Sequence, residues 1–336
     1  MGIRRGIVFT SIAAATACSL VYSTYDDRFH APLGPSDSGL LVVDESGVAA
    51  ISALTVNEQG VFYGMGSSIK LVALDGGGVS IWWSGDASSI SALATDGTTM
   101  VAWAVGAAAR YADATPSNAV MLDDTVGLSG NVIVGDSNHF AASVPAQHPC
   151  PPCSTAHVLG WNGSGAQALV WDGDAHASFG IDNIAIGSLG VSVMLSPGGL
   201  VRFGFDGGLA CTPTGSITNL STDQLPGGLA VSPSDAYVFI IDTINRGLTR
   251  YQTDGTSCVT PTSGSTPLVT GGVGAVATDS SNVYWVTQAG TLFTMPFAAD
   301  AGVAMGSTLA SSNYLIAVDD AAVYVAVAAS IYAFQK

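Results

Sequence analysis

The stretch Gly274-Ala275-Val276-Ala277-Thr278-Asp279-Ser280-Ser281-Asn282-Val283-Tyr284-Trp285-Val286 reads as two apolar strands joined by a polar turn. Asp279 and the serines are turn residues that bond their own backbone, and Val-Tyr-Trp-Val has the β-branched and aromatic character of a strand. A Gln288-Ala289-Gly290 turn then leads into a third run, Leu292-Phe293-Thr294-Met295. Forty residues on, the phrase returns. Leu315-Ile316-Ala317-Val318-Asp319 precedes Val323-Tyr324-Val325-Ala326 and then Ile331-Tyr332-Ala333-Phe334.

The same phrase is traceable upstream. Ser52–Val56 precedes Val61-Phe62-Tyr63, Ser91–Ala94 precedes Met100–Trp103, and Asn131–Val134 precedes His139–Ala142. Ile184-Ala185-Ile186 precedes Val191–Met194, and Leu229-Ala230-Val231 precedes Tyr237–Ile240. With Asn57, Asp96, Asp136, Gly187, Ser232, Asp279 and Asp319 as markers, the spacing is 39, 40, 51, 45, 47 and 40. That period suits one propeller blade and is too long for a leucine-rich repeat. The expected fold is therefore an all-β β-propeller of about seven four-stranded blades, with six or eight also possible. Asp75-Gly76, Asp206-Gly207 and Asp254-Gly255 mark turns within the units. Inner and second strands are apolar on both faces, as strands sandwiched between neighbouring sheets require. The last unit stops at Lys336 after its third strand, while an orphan run, Gly39–Val43, precedes the first. Pairing the two would complete the last blade and remove an exposed edge.

Composition agrees. Of 336 residues 41 are glycine, and only Lys70 and Lys336 are lysines, so no amphipathic surface helix is expected. The net charge is −16, and loss of a leader containing Arg4 and Arg5 leaves seven basic against 25 acidic residues, or −18. Such a surface repels phosphate backbones, which argues against nucleic acid as a partner.

Met1–Arg5 is a short basic segment, and Gly6–Ala17 is an apolar run too short to span a bilayer but suited to a signal peptide. The junction Ala15-Thr16-Ala17-Cys18 resembles a bacterial lipobox, with Ala15 where that pattern prefers leucine. The resemblance implies residues 1–17 as signal peptide, a lipidated Cys18 heading a tether over 18–37, and a propeller over 38–336. Ser19 rather than Asp after the cysteine implies the outer membrane. Plain cleavage after Ala17, giving a soluble periplasmic or cell-surface protein, is the other reading.

The Asn282-Val283-Tyr284-Trp285-Val286 phrase and its period resemble the YWTD and NHL propeller repeats, and repeat-bearing exported bacterial lipoproteins, over residues 50–336. The YWTD aspartate is absent, since Val286-Thr287 follows Trp285. These residues build core and turns, so the resemblance implies a fold and no particular partner.

Cysteines and histidines supply the candidate sites. Cys211 and Cys258 follow the third strand of successive units and are candidates for a disulfide in an oxidising compartment. His148-Pro149-Cys150-Pro151-Pro152-Cys153, with His157, lies in an insertion of the third unit. A local Cys150–Cys153 disulfide, a zinc site on His148, Cys150, Cys153 and His157, and a redox dithiol all fit there. No cofactor is expected. His139, His148, His157 and His176 cluster in the third unit. Asp96, Asp136, Asp279 and Asp319 recur at one position, where an aspartate caps turn amides. Trp82 and Trp83, adjacent on a strand, should face opposite ways and pack in the core. The expected function is a non-enzymatic binding or scaffold propeller for a protein or small-molecule ligand at its face, touching membrane only through the lipid. The alternative is a propeller enzyme, a hydrolase or lactonase, with metal or carboxylates in the central channel.

Overall fold

A computed structural model describes residues 39–45, 47, 49–74, 78–85, 89–105, 108–113, 115–123, 133–135, 139–144, 157–162, 167–172, 180–196, 199–205, 209–211, 228–242, 246–252 and 265–336. Their ladders form seven four-stranded antiparallel sheets. In chain order the strands are β1 (Leu40–Asp44), then β2 (Ile51–Asn57), β3 (Gly60–Met65), β4 (Ser68–Ala73) and β5 (Val79–Ser84) as the first sheet. The second holds β6 (Ile90–Thr95), β7 (Met100–Val105), β8 (Ala108–Asp113) and β9 (Val120–Asp123). The third holds β10 (Ile133–Gly135), β11 (His139–Val144), β12 (His157–Asn162) and β13 (Gln167–Asp172). The fourth holds β14 (Gly180–Gly187), β15 (Gly190–Ser196), β16 (Gly199–Phe203) and β17 (Leu209–Cys211). The fifth holds β18 (Leu229–Val231), β19 (Tyr237–Ile241), β20 (Leu248–Gln252) and β21 (Ser265–Val269). The sixth holds β22 (Val273–Thr278), β23 (Asn282–Thr287), β24 (Thr291–Pro296) and β25 (Val303–Ser307).

The remaining sheet has the order β1, β28, β27, β26, from β26 (Leu315–Val318), β27 (Ala322–Val327) and β28 (Ser330–Gln335). Leu40 faces Ala333 and Asp44 faces Ser330, so the N-terminal strand takes the outer place. The only helix among the described residues is one short 3₁₀ turn, Pro116–Asn118. No helix there is long and apolar enough to cross a membrane.

The core lies between the sheets. The first strands touch in succession, β2 with β6, β6 with β10, β10 with β14, β14 with β18, β18 with β22, β22 with β26, and β26 with β2. Each buried apolar cluster is shared by two neighbours. Phe62 and Ile69 of the first sheet meet Trp103 and Ile90 of the second, and Tyr284 of the sixth meets Val325 and Phe334 of the last. Tyr324 and Ile331 of that sheet meet Tyr63 and Val61 of the first. Inner strands are therefore apolar on both faces because both faces are covered.

Register shifts recur within the sheets. Several first strands carry a bulge near their start, at Ser52 between Ile51 and Ala53 and at Ser91 between Ile90 and Ala92. A bulge admits an extra residue and turns the strand locally. It also corrects one expectation. In β5, Ile69 faces Trp83 while Lys70 faces Ile81, so Trp82 is the extra residue. Trp82 and Trp83 then both reach Trp103, with ring centroids 5.5 and 5.4 Å away. They pack in the core as expected, but on one side and not on opposite faces.

Candidate functional site

The position where the repeats place aspartate opens the turn between first and second strands. Asp96 Oδ1 accepts from the backbone N–H groups of Thr98 and Met100, both at 2.9 Å, and Oδ2 from the Thr98 hydroxyl at 2.7 Å. Asp279 Oδ1 accepts from the N–H groups of Ser281 and Asn282 at 2.8 and 2.7 Å, and Oδ2 from Tyr284 Oη at 2.7 Å. Asp319 repeats the pattern with Ala321, Ala322 and Tyr324 Oη. Asn57 and Ser232 cap the same turn through Gln59 and Tyr237 N–H groups. These side chains hold turns. Burial raises the phenol pKa of Tyr284 and Tyr324 above the usual range, and the adjacent carboxylates add to the effect.

Gly187 has no side chain to do this, and Asp235 of the next sheet does it instead. Asp235 Oδ2 accepts from Leu189 N–H at 2.7 Å and Ser188 Oγ at 2.8 Å. A Cβ on Gly187 would sit 2.2 Å from Asp235 Oδ1, so only glycine leaves room for the visiting carboxylate. Asp235 adopts φ +57°, a left-handed conformation that aspartate tolerates better than most residues. Its Oδ1 pairs with Arg202 Nη2 at 3.1 Å, with both side chains at most 3% exposed. Arg202 Nε also donates to Ser192 Oγ at 3.2 Å. Burial pushes the guanidinium pKa below its ordinary value, and Asp235 opposes that shift. This charged cluster carries no sequence motif.

At the axis the first strands line two cavities of about 180 and about 390 Å³. Leu93, Ile133, Val134, Leu229 and Ile316 line both. Ser52, Ser91 and Asn183 border the smaller cavity, and Thr55, Thr95, Asp96 and Thr278 the larger. The Ser52, Thr95 and Thr278 hydroxyls donate to backbone carbonyls of Gly64, Met100 and Val231. Among the described residues Asp96 is the only titratable one bordering either cavity, and three donors already surround its carboxylate.

The cysteine and histidine candidates fall largely elsewhere. Cys18, His148, Cys150, Cys153, His176, Cys258 and Asp136 lie outside the described residues. Cys211 ends β17 and His157 begins β12, placed by their backbone alone. His139 stacks flat on Phe205, in the turn after β16 of the fourth sheet, with centroids 3.7 Å apart, so its ring joins a seam between sheets. Among the described residues no three His, Cys, Asp or Glu side chains gather as a metal would need.

Neither a protein-family profile nor a curated protein sequence matches the chain. Solved structures do. Sqt1 of Saccharomyces cerevisiae aligns with TM-score 0.55 and 9% identity, over 90% of this chain and all of its own. The computationally designed Ika8 protein aligns with TM-score 0.52 and 14% identity, over 88% of this chain and 99% of its own. A chain of a nidogen/laminin complex aligns more weakly, with TM-score 0.44 and 15% identity, over 79% and 87%. The chain is a β-propeller. At these identities the likeness extends to the fold and no further.

Proposed function

We propose that this chain is an exported, lipid-anchored propeller of seven blades, closed by β1 on β28, that serves as a binding or scaffold protein and not as an enzyme. One observation carries the reading: among the described residues, the recurrent carboxylates that a channel enzyme would need, Asp96, Asp279 and Asp319, bond their own turns. A general base must reach substrate with a free lone pair, and these three meet backbone N–H and hydroxyl donors instead, with the Lys336 ammonium added at Asp279. The Ala15-Thr16-Ala17-Cys18 junction supports the anchor. The ligand is a protein or small molecule at a propeller face.

Two measurements test this reading. Metabolic labelling with a fatty acid should tag the wild type, and Cys18→Ser should remove the label and release the protein from membranes; unlabelled, soluble wild type contradicts the anchor. Purified protein should not hydrolyse lactone, ester or phosphoester panels faster than Asp96→Asn does. Turnover that Asp96→Asn abolishes would establish the channel enzyme instead.

A further inference from the structure

Among the described residues, Arg110 is the one cation that meets neither a carboxylate nor a carbonyl. It stands on β8, directly across from Trp103 on β7 and Met121 on β9. Residues opposed in this way share a face of the sheet, so the three form a row that runs outward. Trp103 is fully buried, Arg110 is half-buried and Met121 is 48% exposed. The row faces the first sheet, where the Trp83 ring centroid lies 5.9 Å from the guanidinium carbon. In the sixth sheet Phe293 takes the place of Arg110, facing Trp285 and stacking on it at 5.4 Å. The second sheet thus holds a charge where its counterpart holds a ring.

Donors gather here without acceptors. Arg110 Nε and the indole N–H groups of Trp82 and Trp103 are buried and have no hydrogen-bond partner. The Trp82 and Trp103 rings meet edge to face, with centroids 5.5 Å apart. The Trp285 indole lacks an acceptor too, so an indole alone marks no site; the guanidinium does. A buried donor left unpaired is costly, the more so when charged, and no carboxylate among the described residues offsets that cost at Arg110.

We infer that Arg110 anchors a small organic monocarboxylate at the outer end of the seam between the first and second sheets. The planar guanidinium matches a carboxylate with two parallel bonds. Half-buried Trp82 and Trp83, with exposed Met121, offer apolar neighbours to the carbon skeleton. The net charge of −16 selects for a single negative charge and against polyanions. This rim site depends neither on the lipid anchor nor on a ligand at a ring face.

Benzoate tests the site, with benzamide as its uncharged counterpart and nitrogen-15 NMR of arginine Nε–H and indole N–H signals as the readout. Benzoate should bind the full chain saturably and shift the Arg110 signal together with that of Trp82 or Trp103. Benzamide on the wild type, and benzoate on Arg110→Met, should bind roughly tenfold or more weakly, as loss of a charge-assisted bond requires. Met121→Glu sets a carboxylate opposite the guanidinium at an exposed position, so it should keep the fold and abolish benzoate binding. No saturable binding, equal binding of benzamide, shifts confined to other residues, or benzoate binding unchanged in Met121→Glu would overturn the inference.

Discussion

Gly187 stands where Asp96, Asp279 and Asp319 stand in their own repeats, and Asp235 reaches across from the next sheet to fill the vacancy. The carboxylate satisfies the Leu189 N–H, the Ser188 hydroxyl and the buried Arg202 guanidinium together. Breaking one side of a buried pair strands the other charge, which costs about 3–5 kcal/mol. Asp235→Asn keeps the size and tolerates the left-handed backbone, so it tests charge with little strain. Chemical denaturation should show a loss of that order, and Arg202→Met combined with Asp235→Asn should cost less than the sum of the single changes. Additive losses would mean that the pair is not coupled. The turn aspartates were legible in the sequence because each caps its own turn a few residues on. Asp235 was not, because the turn it caps lies 46 residues away in the chain.

At the level of strands, the sequence showed which runs pair but not where their register slips. A bulge leaves the alternation of neighbouring residues almost untouched, so nothing in Ile81-Trp82-Trp83 announced that both indoles would reach Trp103. Seams between sheets were equally hidden. Lys336, after β28, pairs with Asp279 of the sixth sheet at 2.6 Å and lies 5.3 Å from the Tyr284 ring centroid. Burial raises the Asp279 pKa, but the bonds from Lys336, Ser281, Tyr284 and Asn282 together outweigh it and leave the carboxyl below its usual value. Glu45 is lowered as well, chiefly by its bond from Lys70, across the seam between the last sheet and the first. A depressed carboxylate contributes stability that is present above its unfolded pKa and is lost as pH falls through the folded one. Melting temperature should therefore drop between about pH 5 and about pH 1. Asp279→Asn should flatten part of that slope; an unchanged slope would remove the Lys336 contact from the account.

For the whole molecule, the few basic residues have a common use. Lys70 pairs with Glu45, Arg202 with Asp235, Arg250 with Asp300 and Lys336 with Asp279. Arg110 lies over Trp83, and Arg246 donates to the Ser312 carbonyl. Each of these six described cations reaches from one sheet to another or to its connection, so the acidic chain commits its positive charge to joining sheets. The repeat and the orphan Gly39–Val43 run were readable because strand pairing follows apolar pattern. The cross-sheet partners were not, because no local pattern encodes them. We propose that β1 and β28 close the ring, and native-state hydrogen exchange decides it. Amides of 40–44 and 330–335 should exchange slowly and with the same protection, and deleting residues 38–46 should expose 330–335 and lower the melting temperature by several degrees. Rapid exchange in 40–44 beside unchanged protection in 330–335, with or without the deletion, would contradict it.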